Sequence, residues 1–436
     1  MFTLAIVGFL MILVFMYVVM SKKATAMVGL ILIPILFALG LGFGPKLGTM
    51  IFDGVKKVAP TAIMIVFAVM YFGIMINAGL FDRLVSAILK ATKGDPVRIF
   101  VGTSILAFCV SLDGDGVTTY MVTCTAMMPL IRQLGLNPLM AATVAIMPAS
   151  ITNILPWGGP TARVMTVLSL DINQVFIPLI PGMVIAVLYS LGVAYYFGQK
   201  ERKRLGFIPG SNLNAHEAAA TVTADENVNA LKRPQMFWFN FSLTIVLLVG
   251  LVAEIMPLAV LFMIGSSLAL VVNYPNVKDQ QARITAQGEN ILPVITMIFA
   301  AGTLTGIMSG TKMLDQMAQF LVTIIPSQLG PHLGVVMAGA SLPLTYFLTN
   351  DAVYFGIMPV IVKTAAAYGI SSAEIARALL VGQCAHLLSP MVASTYLLVN
   401  LTGVNYGEFQ KFALLWANGS SIIMLLVVLA MGLVPL

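Results

Sequence analysis

Ionisable side chains are scarce in this sequence. Asp, Glu, Lys and Arg make up 9% of its 436 residues, against roughly 25% in an ordinary soluble domain, and there are three His and three Cys. So little charge cannot cover the surface of a large water-soluble domain. It excludes a soluble enzyme, a nucleic-acid binder and a disordered chain. Cys109, Cys124 and Cys384 lie in apolar stretches with neither metal-ligand spacing nor a disulfide framework, so they are read as small buried thiols. A P-loop, an HExxH motif, a paired-Cys metal motif and a nucleophile elbow are all missing, and no enzymatic activity is expected. The opening apolar run, Phe2 to Met20, has no basic n-region and no small-residue cleavage site, which favours a first spanning helix over a signal peptide.

Apolar residues dominate instead, at 59% of the chain with a mean hydropathy of +0.98. A spanning helix needs about 20 mostly apolar residues. Candidate spans lie near 2–21, 24–43, 57–78, 138–170, 174–198, 236–255, 257–273, 290–310, 374–403 and 409–434. Two further stretches, 96–133 and 331–369, carry polar residues at their midpoints and read as helical hairpins that enter and leave on one side. The hydrophilic stretch 199–235 reads as a cytoplasmic linker between two halves. With the N-terminus outside, the segments 22–23, 79–98, 132–137, 199–235, 274–289 and 404–411 fall inside and hold 16 of the 23 Lys and Arg residues. That asymmetry matches the bias of cytoplasmic loops towards positive charge. Glu254 and Asp82 fall at span ends, where solvation accounts for them.

An internal repeat supports the scheme. Gly73-Ile74-Met75 with Asp82 matches Gly306-Ile307-Met308 with Asp315, Met128-Pro129 matches Met358-Pro359, Gly135 matches Gly369, and Pro156 matches Pro390. Each half then holds five spans and one hairpin, and an odd number of spans inverts the second half relative to the first. The expected fold is an all-α polytopic membrane protein. It has a first inverted repeat over 1–198 (hairpin 96–133, broken helix 138–170), a linker over 199–235, and a second repeat over 236–436 (hairpin 331–369, broken helix 374–403). Inverted repeats with interrupted helices are an architecture of secondary transporters.

Four polar interruptions carry the chemistry. The first hairpin tip reads Ser111-Leu112-Asp113-Gly114-Asp115-Gly116-Val117-Thr118-Thr119. A carboxylate at a bilayer centre costs roughly 2.5–3.5 kcal/mol, which a cation, a proton or a helix N-terminus must offset. One carboxylate would suffice for a helix cap; two ask for more. The second tip, Leu348-Thr349-Asn350-Asp351-Ala352, repeats the pattern. The first broken helix, Asn153-Ile154-Leu155-Pro156-Trp157-Gly158-Gly159-Pro160-Thr161, frees backbone groups for a cation or an anion, and Arg163 follows it. Arg163 suits either a substrate carboxylate or a salt bridge to Asp113 or Asp115. The second break, His386-Leu387-Leu388-Ser389-Pro390-Met391-Val392-Ala393-Ser394-Thr395, has no arginine. His386 suits either proton handling or hydrogen-bonded packing.

Ser111-Leu112-Asp113-Gly114-Asp115-Gly116, Pro156-Trp157-Gly158-Gly159, Leu348-Thr349-Asn350-Asp351-Ala352 and Tyr71-Phe72-Gly73-Ile74-Met75 together resemble the citrate–metal:proton symporter family (CitMHS). The likeness runs from about residue 2 to residue 434. It implies a scaffold plus an elevator-type transport domain, a homodimer, and uptake of citrate complexed with Mg or Ca by proton symport. The wider ion transporter group includes dicarboxylate:sodium symporters with Ser-Asn-Thr tips. The extra carboxylates here suit a proton or a divalent cation better than sodium alone. Asp113, Asp115, Asn153, Asn350, Asp351 and His386 are the expected coupling-ion or proton residues, with Asp113, Asp115 and Asp351 facing the metal of the complex. Thr118, Gly158, Gly159, Thr161, Arg163, Ser389, Ser394 and Thr395 are the expected substrate-binding set. The expected partners are a small carboxylate and membrane lipid, with no nucleic acid, and no cofactor is expected to be permanently bound. The competing expectations are a sodium- or proton-coupled carboxylate symporter without metal, and a passive ion channel.

Overall fold

The computed structural model describes residues 2–207, 231–253 and 255–435. Most of the expected linker, 208–230, and Glu254 lie outside the described residues. Among the described residues every regular element is helical. The first half contains α1 (Phe2–Met20), α2 (Ala26–Gly40), α3 (Leu47–Asn77), α4 (Asp82–Thr92), α5 (Pro96–Val110), α6 (Gly116–Gln133), α7 (Pro138–Thr152), α8 (Gly159–Leu168), α9 (Ile172–Val175) and α10 (Ile180–Leu205). The second contains α11 (Phe237–Val252), α12 (Leu258–Asn273), α13 (Val277–Ala286), α14 (Gly288–Gly310), α15 (Met313–Ile324), α16 (Leu333–Phe347), α17 (Met358–Ala366), α18 (Ser372–Leu380), α19 (Gln383–His386), α20 (Ala393–Thr402) and α21 (Tyr406–Ala430).

Among the described residues seven helical stretches are long and apolar enough to cross a membrane, and several expected spans are instead built from shorter apolar helices. The reason lies in local chemistry. Polar and proline residues break 96–133 at 111–115, 138–170 at 153–158, 331–369 at 348–351 and 374–403 at 387–392. Each half closes its hairpin in the same way. Gly135 (φ +63°) and Gly369 (φ +80°) adopt the left-handed conformation that favours glycine. Asn137 and Ser371 then cap the next helix by accepting the amides of Leu139 and Glu374. One segment differs from expectation: α10 continues to Leu205, so the first residues of the expected linker are helical. Glu201 and Arg204 bind each other across one turn at 2.7 Å, and Gly206 (φ +64°) ends the helix.

The helices α3 and α14 pack backbone to backbone. A methyl group on Gly54 would overlap the Gly302 carbonyl, and one on Gly306 would overlap the Met50 carbonyl. Small residues spaced by four let helices approach this closely where hydrophobic exclusion of water gives no driving force. Further along α3, Tyr71 and Phe72 meet Phe262 of α12 and Trp157 of the first break, with Phe72 and Trp157 ring centroids 5.3 Å apart.

Basic segments expected to lie inside gather at one end of the molecule. Asp95 binds Arg202 through both carboxylate oxygens at 2.7 and 2.5 Å. Glu201 accepts the Asn137 amide at 2.8 Å, Asp82 pairs with Lys232 at 2.8 Å, and Arg233 donates to the Asn273 carbonyl at 2.9 Å.

Candidate binding cavity

The four interruptions meet. Gly114 (φ +82°) turns the first tip, and a side chain there would press on Trp157 and Gly158 of the first break. Thr152 donates to Ser111 Oγ at 2.7 Å and Trp157 Nε1 donates to the Leu112 carbonyl at 2.9 Å, so tip and break hold each other. The last turn of α16, which leads into the second tip, is joined to the second break by His386 Nδ1 against the Thr345 carbonyl at 2.5 Å and by Ser389 Oγ donating to the Tyr346 carbonyl at 2.6 Å. Cross-links then unite the two halves. Asn153 donates to Gln383 Oε1 at 3.3 Å, and Gln383 Nε2 donates to Asn350 Oδ1 at 3.0 Å and to the Tyr354 hydroxyl at 2.8 Å. Ser394 sits against Gly116. Arg163 Nε donates to Asp351 Oδ1 at 2.7 Å.

Beside this junction lies a cavity of ≈ 330 Å³. Asp113, Gly114, Asp115 and Thr118 of the first tip line one side, with Trp157, Gly159, Ala162 and Arg163. The rest of the lining comes from α3, from α14 between its N-cap Gln287 and Ile298, and from Phe355.

The two tip carboxylates do different work. Asp115 caps α6, accepting the amides of Val117 and Thr118 at 3.2 and 2.8 Å and the Thr118 hydroxyl at 2.7 Å. Asp113 is buried and accepts the Asp115 amide through Oδ1 at 2.8 Å, which leaves acceptor capacity on its carboxylate for a ligand. Arg163 reaches Asp351 rather than Asp113 or Asp115. It also donates to the Gly159 carbonyl at 2.8 Å and lies 5.8 Å from the Phe355 ring centroid. A π-helical turn, Ala352–Ile357, follows Asp351. Such turns recur at functional sites.

Hydroxyls of the two breaks close the gaps in the helices. Thr161 donates to the Ile154 carbonyl at 2.6 Å, and Thr395 donates to the Leu387 carbonyl. The N-terminus of α8 is left open by contrast. Its cap, Gly158, has no side chain to accept the first amides, whereas Asp95, Asp115 and Asn137 cap α5, α6 and α7. An uncapped helix N-terminus attracts an anion. Of the expected residues, Asp113, Asp115, Thr118, Gly159 and Arg163 line the cavity; Asp351 reaches it through Arg163; Asn153, Asn350, His386, Ser389, Ser394 and Thr395 belong to the links around it. Among the described residues no three His, Cys, Asp or Glu side chains group as a metal cage.

The citrate transporter family profile matches residues 1–382. The chain belongs to the citrate transporter family. It is 52% identical over 431 residues to a citrate transporter of Bacillus subtilis (strain 168), covering 99% of both chains. It is 47% identical over 435 residues to a Mg(2+)/citrate complex secondary transporter of the same organism, again covering 99% of both. Among solved structures, the YdaH transporter of Alcanivorax borkumensis aligns with a TM-score of 0.61 at 13% identity over 90% of each chain, a likeness of fold alone. This member of the citrate transporter family is a multi-pass transporter of the cell membrane and not an enzyme. Sequence reasoning missed Gln383, the amide at the centre of the cross-links, although a Gln inside an apolar stretch was a usable signal. It also missed Gln287 and Asn290, which sit at a span end where polar residues are unremarkable.

Proposed function

We propose that this transporter takes up citrate as a complex with a divalent cation, Mg or Ca, in symport with protons. One observation carries the reading: a buried carboxylate, Asp113, and a guanidinium, Arg163, face one cavity beside the uncapped N-terminus of α8. Free citrate at neutral pH is a trianion, and it would meet two tip carboxylates there. Chelation of a divalent cation leaves a single net negative charge on the complex. The complex then presents a cation to Asp113 and carboxylates to Arg163 and the α8 amides. The metal is cargo, held mainly by citrate oxygens.

In this reading the second tip controls access. Asp351 pairs with Arg163 at 2.7 Å. Protonation of Asp351 releases the guanidinium to a substrate carboxylate, and loss of that proton on the inside returns Arg163 to Asp351 and expels the substrate. The empty site resists crossing because an uncompensated carboxylate is costly in the bilayer. The moving unit is an elevator-type transport domain of the two hairpins and the two broken helices. It moves against a scaffold of α1–α3 and α11–α14, the two halves (1–198 and 236–436) being inverted repeats joined by the 199–235 linker. The Asp95–Arg202 end faces the cytoplasm, following its basic charge. The functional unit is a homodimer.

The test is labelled citrate uptake into proteoliposomes under separate pH and sodium gradients, each with magnesium, with calcium and with chelator. Uptake that needs both a pH gradient and a divalent ion is expected. Uptake that persists in chelator removes the metal from the proposal, sodium dependence replaces the proton, and flux with no cosubstrate makes the protein a channel.

A further inference from the structure

The uptake reading leaves one wall of the cavity without a role. Alongside the first tip and the first break, α3 and α14 line the cavity with mostly apolar groups together with two primary amides, Gln287 and Asn290. Gln287 is 6% exposed, yet its Nε2 finds no acceptor among the described residues. Its Oε1 accepts Asn290 Nδ2 at 3.4 Å. The residue is seated among protein atoms while this donor stays accessible on a cavity-lining side chain, where a ligand oxygen can take it.

The seat of that amide is built into α3. A methyl group on Gly73 would overlap Cδ, Oε1 and Nε2 of Gln287 together. Gly73 is the glycine of Tyr71-Phe72-Gly73-Ile74-Met75, and its neighbours have other work: the Tyr71 hydroxyl bonds Thr244 Oγ1 at 2.8 Å, and Phe72 lies against Trp157. The helix surface is bare at residue 73 for an amide that itself borders the cavity.

We propose that Gln287 and Asn290 form a second anchor, donating amide N–H groups to the substrate carboxylate farthest from Arg163. The anchor selects a long polycarboxylate over a short one, because only a substrate that spans the cavity satisfies both Arg163 and the Gln287 donor. The proposal rests on the carboxylate-uptake reading above and adds to it a determinant of substrate length.

The test uses the full chain in proteoliposomes with magnesium–citrate as substrate and succinate as competitor. Gln287→Glu keeps the shape and removes the donor, and Asn290→Ala changes an exposed residue that folding tolerates. Each is expected to raise the half-saturation constant about 10-fold with little change in maximal rate, the signature of lost binding. Each also narrows the preference for citrate over succinate. Gly73→Ala, which unseats the amide, should do the same. If Gln287→Glu and Asn290→Ala both keep the unmodified half-saturation constant and selectivity, the proposal is overturned and Gln287 only packs. A loss of maximal rate alone overturns it as well. If the unmodified protein takes up no carboxylate, the functional reading fails first and the anchor falls with it.

Discussion

Arg163, on the half-helix after the first break, donates through Nε to Asp351 Oδ1 at the second hairpin tip, 2.7 Å away. The pair joins residues 188 positions apart, one from each half of the chain, and both side chains are mostly buried. Removing one partner of such a pair leaves the other uncompensated, so the bond is worth more as a relationship than as a sum of contacts.

Asp351→Asn is expected to free Arg163 permanently. Metal–citrate binding then holds or tightens in a titration, while uptake falls and its dependence on external pH flattens. Arg163→Gln should instead abolish binding, by roughly 100-fold, the scale of losing a charge-assisted anchor. A steep pH profile retained in Asp351→Asn would remove Asp351 from coupling.

The two tip carboxylates should separate by assay. Asp115→Ala removes the α6 cap and is expected to cost about 1 kcal/mol in thermal or denaturant unfolding in detergent, with Asp115→Ser recovering most of it. Asp113→Asn keeps the turn acceptor and should leave stability near that of the unmodified protein while uptake is lost. Equal effects of the two on stability would contradict this division of labour.

Gly54→Ala and Gly306→Ala place a methyl group inside the α3–α14 contact. Each is expected to cost about 1–3 kcal/mol, because the backbones must move apart. The control is Gly48→Ala, where a methyl group meets open space, and it should leave the melting temperature unchanged.

The Asp95–Arg202 pair links stability at the basic end to pH. Burial of the Asp95 carboxyl pushes its pKa up, but the Arg202 hydrogen bonds, the Val97 amide and the charges of Arg202 and Arg98 outweigh it and hold the carboxyl below the ordinary 3.8. A folded-state value below the unfolded one means that the contribution is complete above the ordinary carboxylate range. It fades as pH falls through the lower folded value. Asp95→Asn should therefore lower the melting temperature at neutral pH and flatten its decline in acid. An unchanged acid limb would show that other carboxylates govern it.

Much of the architecture was legible because polar residues inside apolar runs are conspicuous. Asp113, Asp115, Pro156, Asn350, Asp351 and Pro390 mark the breaks in the helices, and the family likeness drawn from them agrees with the family match. Thr161 and Thr395 were legible as polar residues, but their work in closing the breaks was not, since it depends on which carbonyls the prolines release. Gln287 gave no signal, because polarity at a span end is normal and its burial arises only when α14 meets Gly73.

Composition and hydropathy by themselves determined that this chain is helical and lives in a membrane, since about 20 apolar residues in a row are stable in hydrocarbon only as a helix. They determined equally where the helices must break. Only the tertiary structure decided which carboxylate meets Arg163. Asp113, Asp115 and Asp351 are equivalent in charge and each lies in a polar tip. The crossing of the second tip over α8 brings Asp351 to 2.7 Å, while the turn at Gly114 commits Asp115 to its own helix and leaves Asp113 on the cavity. Charge can be read along a chain; the distance between two charges is set by packing.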